Sequence, residues 1–449
     1  MKQLRRLFIV VLIVVLVVIS ANAFAAKAEI TYMAWYNTTE SEAADIQKSL
    51  DKFNSSQDKV HVTLIAVSWN DYNTKLNTMA AAKQLPDCCM MNEAMTIRYA
   101  AAGILADVSD MYPASEAPLK SLAFTYKGKV VGYSSANEVL VTYYNKKLFD
   151  EAKVSYPPAS ADKAWTWKEF VDVAKKLTKD KNGKTPNDPG FDPKNIVTYG
   201  ADFNRLAWIW PVMAVSNGGG IMNSDGQKLL LGTPQTIQAL QAIADLYLKD
   251  RVAPSVGDKN NMPSLDVTLL TGKVAMAAGY GQWEIGVSLK NSLKDGLVYG
   301  VGVLPKMKKA VTYNTGGPFV IFNSSKNLAA TKTFIKWMTD EENEGAWGLI
   351  TGGIWMPTHK QYYANDQIIK KWADNSVHPS YAQYKTAVVD YAMNNAVQVP
   401  WYYFPSFDKL NDLIDSGMDQ VWNGKLTAKQ YITTMLPKVK KLFEENRPK

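Results

Sequence analysis

Three short apolar runs, "EITYMAW" (Glu29–Trp35), "HVTLIAV" (His61–Val67) and "PDCCMM" (Pro86–Met91), are separated by stretches in which apolar residues recur every three to four positions. Ile46, Leu50 and Phe53 share one helical face in the first interval, and Tyr72, Leu76 and Met79 share one in the second. Strand, helix, strand, helix, strand at this spacing predicts right-handed crossovers into a parallel sheet. Ligands of such sheets sit beyond the carboxyl ends of the strands. Attention therefore falls on Trp35, Tyr36 and Asn37, on Ser68 and Trp69, and on Asn92 and Glu93.

A second α/β section follows "VTYYNKKLFDEAKV" (Val141–Val154). Thr166 and Glu169 form the capping-box pattern of a helix start, with Phe170, Val173 and Leu177 directed inward. A polar loop rich in turn formers runs from Lys179 to Pro193, and a further helix is expected from Thr233 and Pro234, since proline suits a first turn. "GKVAMAAGYGQW", "YGVGVLP" and "TGGPFVIF" read as strands closed by glycine or proline, and the tail from Thr427 to Phe443 reads as an amphipathic helix.

At the amino end, Lys2, Arg5 and Arg6 precede an apolar run from Leu7 to Ile19 and small residues to Ala26, the pattern of a cleaved secretory signal peptide. The run is too short to span a bilayer, and no cysteine follows it to carry lipid. A periplasmic or secreted location is expected. The remaining chain of roughly 420 residues exceeds what one core usually serves, so two lobes are expected. The 47% hydrophobic and 20% charged residues of the full 449-residue chain are those of a globular protein. The formal charge of +8 falls to about +5 without the leader, and the lysines are scattered, which gives no nucleic-acid patch. Two cysteines show that the fold does not depend on disulfides; Cys88 and Cys89 read as small hydrophobes of a buried strand.

Several chemistries lack their residues. His61, His359 and His378 are not spaced with other ligands, so no metal site and no cofactor is expected. There is no G-x-S-x-G elbow. "SNGGG" (Ser216–Gly220) and "GYGQW" (Gly279–Trp283) lack the Lys and Ser/Thr of a phosphate loop. What recurs, within 13 Trp and 23 Tyr, is an aromatic residue beside an amide, carboxylate or glycine at a strand end. Sugars need this combination: an apolar pyranose face packs on an aromatic plane while hydroxyls seek planar polar groups in a partly dry cleft. The stacking candidates are Trp35, Trp69, Trp208, Trp210, Trp283, Trp355 and Trp401. The hydroxyl partners are Asn37, Asn92, Glu93, Asn137, Glu138, Asp202 and Gln282, with Tyr36 beside them. Each loop tryptophan competes with a plain packing role.

The order of these motifs resembles the extracellular solute-binding proteins of ABC importers (solute-binding family 1), in the carbohydrate group that includes maltodextrin- and glycerol-phosphate-binding proteins. The resemblance runs from "ITYMAWYN" through "LPDCCMMNEAMTIRYAAAGILADVSD", "VTYYNKKLFDEAKV", "WTWKEFVDVAKKLTK" and "LLTGKVAMAAGYGQW" to "TGGPFVIFNSSKNLAATKTFIKWMTDEENEGAW" and "GGIWMPTHKQYY". It implies a two-lobed periplasmic-binding-protein fold of type II, each lobe a mainly parallel sheet flanked by helices, with a ligand cleft between lobes. The lobes would comprise residues 27–142 with 317–365 and residues 143–316 with 366–449, after a signal peptide of 1–26. Crossings would fall near Val141–Asn145, Asn314–Pro318 and Tyr363–Ile368. Trp283 would be the leading stacking residue, and Gly316 and Gly317 backbone donors. The implied function is a monomeric, non-enzymatic receptor that delivers a sugar or oligosaccharide to a membrane permease, closing by a hinge motion. Two other readings stay open: a secreted carbohydrate-active enzyme using carboxylates such as Glu93 and Glu138, and a receptor for a phosphorylated polyol or polyamine. Of the arginines, only Arg98 and Arg205 lie near the strand ends, which disfavours phosphate.

Overall fold

The computed structural model describes residues 27–36, 40–340 and 347–447; the expected leader and Asn37 lie outside them. Fourteen strands are described: β1 (Ala28–Tyr36), β2 (Val60–Ser68), β3 (Cys88–Met90), β4 (Ala123–Tyr126), β5 (Lys129–Ser134), β6 (Glu138–Asn145), β7 (Lys179–Asp180) and β8 (Ile196–Thr198). They continue with β9 (Asp202–Phe203), β10 (Met276–Gly281), β11 (Tyr299–Gly302), β12 (Thr312–Thr315), β13 (Pro318–Ile321) and β14 (Ala396–Gln398). One sheet has the order β2-β1-β3-β13-β5-β4 and belongs to the first lobe. The other has the order β14-β12-β6-β10-β9, with β11 also on β6, and β7 and β8 pair separately.

The opening alternation of runs builds the parallel part of the first sheet. β1 lies between β2 and β3, parallel to both, with helices Glu40–Ser56 and Trp69–Ala81 as the crossovers. Tyr72 fastens the second helix to the sheet: its hydroxyl donates to Met90 O at 2.6 Å and Met33 O at 3.2 Å. Cys88 and Cys89 are free, fully buried and project to opposite faces, Cys89 packing with Met33 and Met91, Cys88 with Tyr32 and Met90. Burial raises both thiols above their ordinary pKa, which leaves them protonated and inert.

Neither sheet is mainly parallel, which corrects the expectation for the lobes. β13 runs antiparallel to β3 and β5, and β4 is antiparallel to β5. In the second sheet β6 is antiparallel to β10, β11 and β12. The tight Lys127-Gly128 turn forces β4 and β5 to oppose each other. β13 follows β12 after only two residues, Gly316 and Gly317, and enters from the other sheet rather than over a helix.

The first passage between lobes also differs from Val141–Asn145. The chain leaves the first sheet after Ser134 and enters the second at Glu138, so residues 138–142 belong to the second lobe, not the first. The reason is burial: Val139, Leu140, Val141, Tyr143 and Tyr144 are all fully buried, and a strand covered on both faces fits only at a sheet centre. The polar stretch Ser135-Ala136-Asn137 makes the crossing instead. The second passage is Gly316-Gly317.

Several local expectations hold in detail. The helix Trp167–Leu177 carries the full Thr166/Glu169 capping box, and Thr233 caps the helix Pro234–Leu248 with proline in its first turn. The final helix, Ala428–Asn446, is capped by Thr427 and packs on Pro234–Leu248. An earlier helix, Phe407–Asp415, and the turn Pro400–Tyr402 lie against helix Glu93–Ala101 of the first lobe, so the carboxyl-terminal region touches both lobes.

Candidate functional site

The two short passages, Ser135–Asn137 and Gly316-Gly317, lie side by side and bring the ends of β3, β6, β12 and β13 together. Thr315 pairs with Glu138 in register, and Met91 N donates to Pro318 O at 2.8 Å. On the other edge of β6, Gln282 N donates to Val139 O at 2.8 Å, which sets Trp283 beside the same end of the strand. Gly316 has φ +134°, and a Cβ there would overlap the Ser134 hydroxyl. At Gly317 a Cβ would stand 2.6 Å from the Trp35 ring. Glycine thus lets the backbone pass directly beneath an indole.

Two carboxylates converge on this crossing. Glu93 opens the helix Glu93–Ala101, and its carboxylate accepts its own N–H and that of Gly316. Burial outweighs those donors and pushes its pKa up to about 7. Glu138 is raised to about 8, first by burial and then by the negative charge of Glu93; a 3.4 Å hydrogen bond from the Thr315 hydroxyl opposes this. Tyr402, whose ring stacks on Phe124 at 4.2 Å, lies beside the Ser134 hydroxyl and feels both carboxylates.

Aromatic planes flank the pair. Trp35 meets Trp69 edge to face at 5.0 Å, and Trp69 is 42% exposed. Trp283 is partly exposed and its ring lies on the Cα of Gly281, where a Cβ would collide with it. Trp208 is also partly exposed and packs on Trp401 at 5.1 Å. Tyr36 is partly exposed at the end of β1.

Other nominated residues have different occupations. Trp210 is completely buried in the second lobe's core, and Trp355 is buried with its ring against Phe319. Trp401 is 4% exposed. Gln282 is buried and gives its amide to Ile354 O at 3.0 Å. Asn137 is spent within the crossing, accepting from Asn314 Nδ2 at 2.7 Å and donating to Tyr363 Oη at 3.1 Å. Asn92 Oδ1 caps its helix through Ala94 N. Asp202 is buried in an ion pair with Lys259 at 2.6 Å and accepts from Tyr280 Oη at 2.6 Å. Sequence reasoning passed over Thr315 and Tyr402. Thr315 was detectable as the residue before the double glycine, whereas Tyr402 offered no signal beyond its aromatic neighbours in "VPWYYFP".

Two carboxylates, a backbone N–H and nearby indoles at the junction of two mixed sheets are groups that a polar solute could meet. The chain belongs to the bacterial extracellular solute-binding protein family, whose model matches residues 48–377. It is 22% identical over 435 residues to a putative ABC transporter periplasmic-binding protein of Escherichia coli, YcjN, covering 93% of each chain. It is 25% identical over 320 residues to the diacetylchitobiose binding protein DasA of Streptomyces coelicolor, covering 69% of each. An ABC substrate-binding protein from Listeria monocytogenes, solved in complex with cycloalternan, superposes with a TM-score of 0.75 at 24% identity, over 93% of this chain and 99% of that one.

Proposed function

We propose that this protein captures a sugar or oligosaccharide between its lobes and delivers it to the membrane permease of an ABC importer, acting as a receptor and not as an enzyme. The observation that carries the reading is the half-buried pair Glu93 and Glu138 beside the Gly316 N–H, with Trp35, Trp69 and Trp283 at its margins. Carboxyl groups exchange hydrogen bonds with sugar hydroxyls, and indoles take the apolar ring faces. The sugar-type ligands named for relatives support this class. The apolar leader supports export to the periplasm or beyond.

Isothermal titration of the purified protein against mono- and oligosaccharides tests the reading. At least one sugar is expected to bind and to raise the melting temperature, since it binds only the folded state. Trp283→Ala should weaken that sugar by roughly 1 to 3 kcal/mol, the range for an aromatic side chain's buried contact. Hydrolysis of an oligosaccharide at a rate that depends on Glu93 or Glu138 would replace the receptor with an enzyme.

A further inference from the structure

Gly281 closes one face of the Trp283 indole. A Cβ built at Gly281 would stand equally close to Cε2, Cζ2 and Cη2 of Trp283. A point equidistant from three neighbouring ring atoms lies on the axis of the six-membered ring, so the glycine backs the flat face and not the edge. Backbone conformation does not call for glycine here: Gly281 ends β10 in register with Leu140 of β6 and lacks the positive φ that an L side chain avoids. The nearest atoms a methyl group would meet all belong to Trp283. What glycine provides at this position is room for the indole.

The main chain that carries the ring is fastened at three successive residues. Gln282 N donates to Val139 O at 2.8 Å, and the Tyr143 hydroxyl shares its proton between Gly281 O at 3.0 Å and Gln282 O at 3.1 Å. Gln282 Nε2 donates to Ile354 O at 3.0 Å. Trp283 O accepts from Gly286 N and Val287 N, both at 3.0 Å, where the helical segment Ile285–Leu289 begins. Tyr143 and Gln282 are fully buried, so neither reaches a solute, whereas Trp283 is partly exposed. An aromatic side chain fixed in advance spares the solute the cost of ordering it.

We infer that Gly281, Gln282 and Tyr143 are positioning residues: they hold the Trp283 indole as a preformed platform with one face closed, and set affinity without touching solute. The inference rests on the sugar-receptor reading for its ligand but not for its geometry. Gly281→Ala, Gln282→Met and Tyr143→Phe each alter one support, alone and combined with Trp283→Ala. Titration calorimetry with glucose, maltose, maltotriose and diacetylchitobiose reads affinity, and circular dichroism melting confirms that the variants fold. For whichever of these sugars binds, Gly281→Ala is expected to lose about as much affinity as Trp283→Ala, roughly tenfold, and the other two several-fold. In the Trp283→Ala background all three should change affinity by less than about twofold, because a support has no effect once the ring it holds is gone.

Fluorine NMR of the unliganded protein labelled with 5-fluorotryptophan gives a reading that needs no sugar. The Trp283 line, identified by its absence from Trp283→Phe, should shift in Gly281→Ala while most other lines stay in place. A Trp283 line that does not move, or losses of affinity that persist in full in the Trp283→Ala background, overturn the inference and leave the sugar receptor standing. A shifted line with no binding of any of the four sugars keeps the positioning role and counts against the sugar reading.

Discussion

Glu138 is a carboxylate whose surroundings resist ionisation, and the effect reaches stability as well as binding. Its pKa lies near 8 in the folded chain, against about 4.5 when unfolded, so the folded state holds the proton over that interval. The group's contribution is fully present below pH 4.5 and is lost as pH rises through 7 to 8, with Glu93 acting in the same sense. Glu138→Gln, which stays neutral, should therefore raise the unfolding free energy of the unliganded protein at pH 8.5 by an amount on the order of 1 to 3 kcal/mol, seen as a higher melting temperature, and leave it unchanged near pH 4.5. The neighbours that set this behaviour are Glu93, Thr315 and Tyr402. A thermal-melt series across pH that stays parallel for wild type and variant would contradict the assignment.

Among elements, those with local causes were readable in advance. The helix Trp167–Leu177 starts where Thr166 and Glu169 cap it, because both partners lie within one turn. Thr166→Ala should cost about 1 kcal/mol in denaturant unfolding while leaving sugar affinity unchanged, since this helix lies away from the crossing. β6 was harder to assign. Its continuous apolar run announced a buried strand, but its membership of the second sheet depends on pairing with β10, β11 and β12, whose partner residues are more than a hundred positions away. The tryptophans show the same divide: Trp210 and Trp208 are two residues apart in "AWIWP", yet one is buried in the core and the other is partly exposed.

For the whole molecule, the contact to test is the ion pair that ties helix Glu93–Ala101 to the carboxyl-terminal region. Arg98 of helix Glu93–Ala101 bonds Asp408 of helix Phe407–Asp415, with side chains 29% and 18% exposed. If closure of the lobes on solute is a hinge motion, this pair favours the closed arrangement. Arg98→Ala combined with Asp408→Asn should open the unliganded protein, seen as a larger radius of gyration in X-ray scattering. It should also weaken solute affinity by about two- to tenfold, because binding must then repay closure. An unchanged scattering profile together with unchanged affinity would deprive the pair of that role.

The alternation that builds the first sheet, the caps of the helices, and the burial of Cys88 and Cys89 were legible from local pattern alone, since each follows from periodicity or from partners a few residues apart. The sequence also announced that aromatics, carboxylates and glycines gather at strand ends. Tertiary structure decided which of them meet. Thr315 reaches Glu138 across 177 positions, and Tyr402 comes to Glu93 only because the chain returns from the second lobe to lie on the first. Local pattern fixes the face a residue presents, while the desolvation and mutual charge that make a site arise only when distant segments enclose the same small volume.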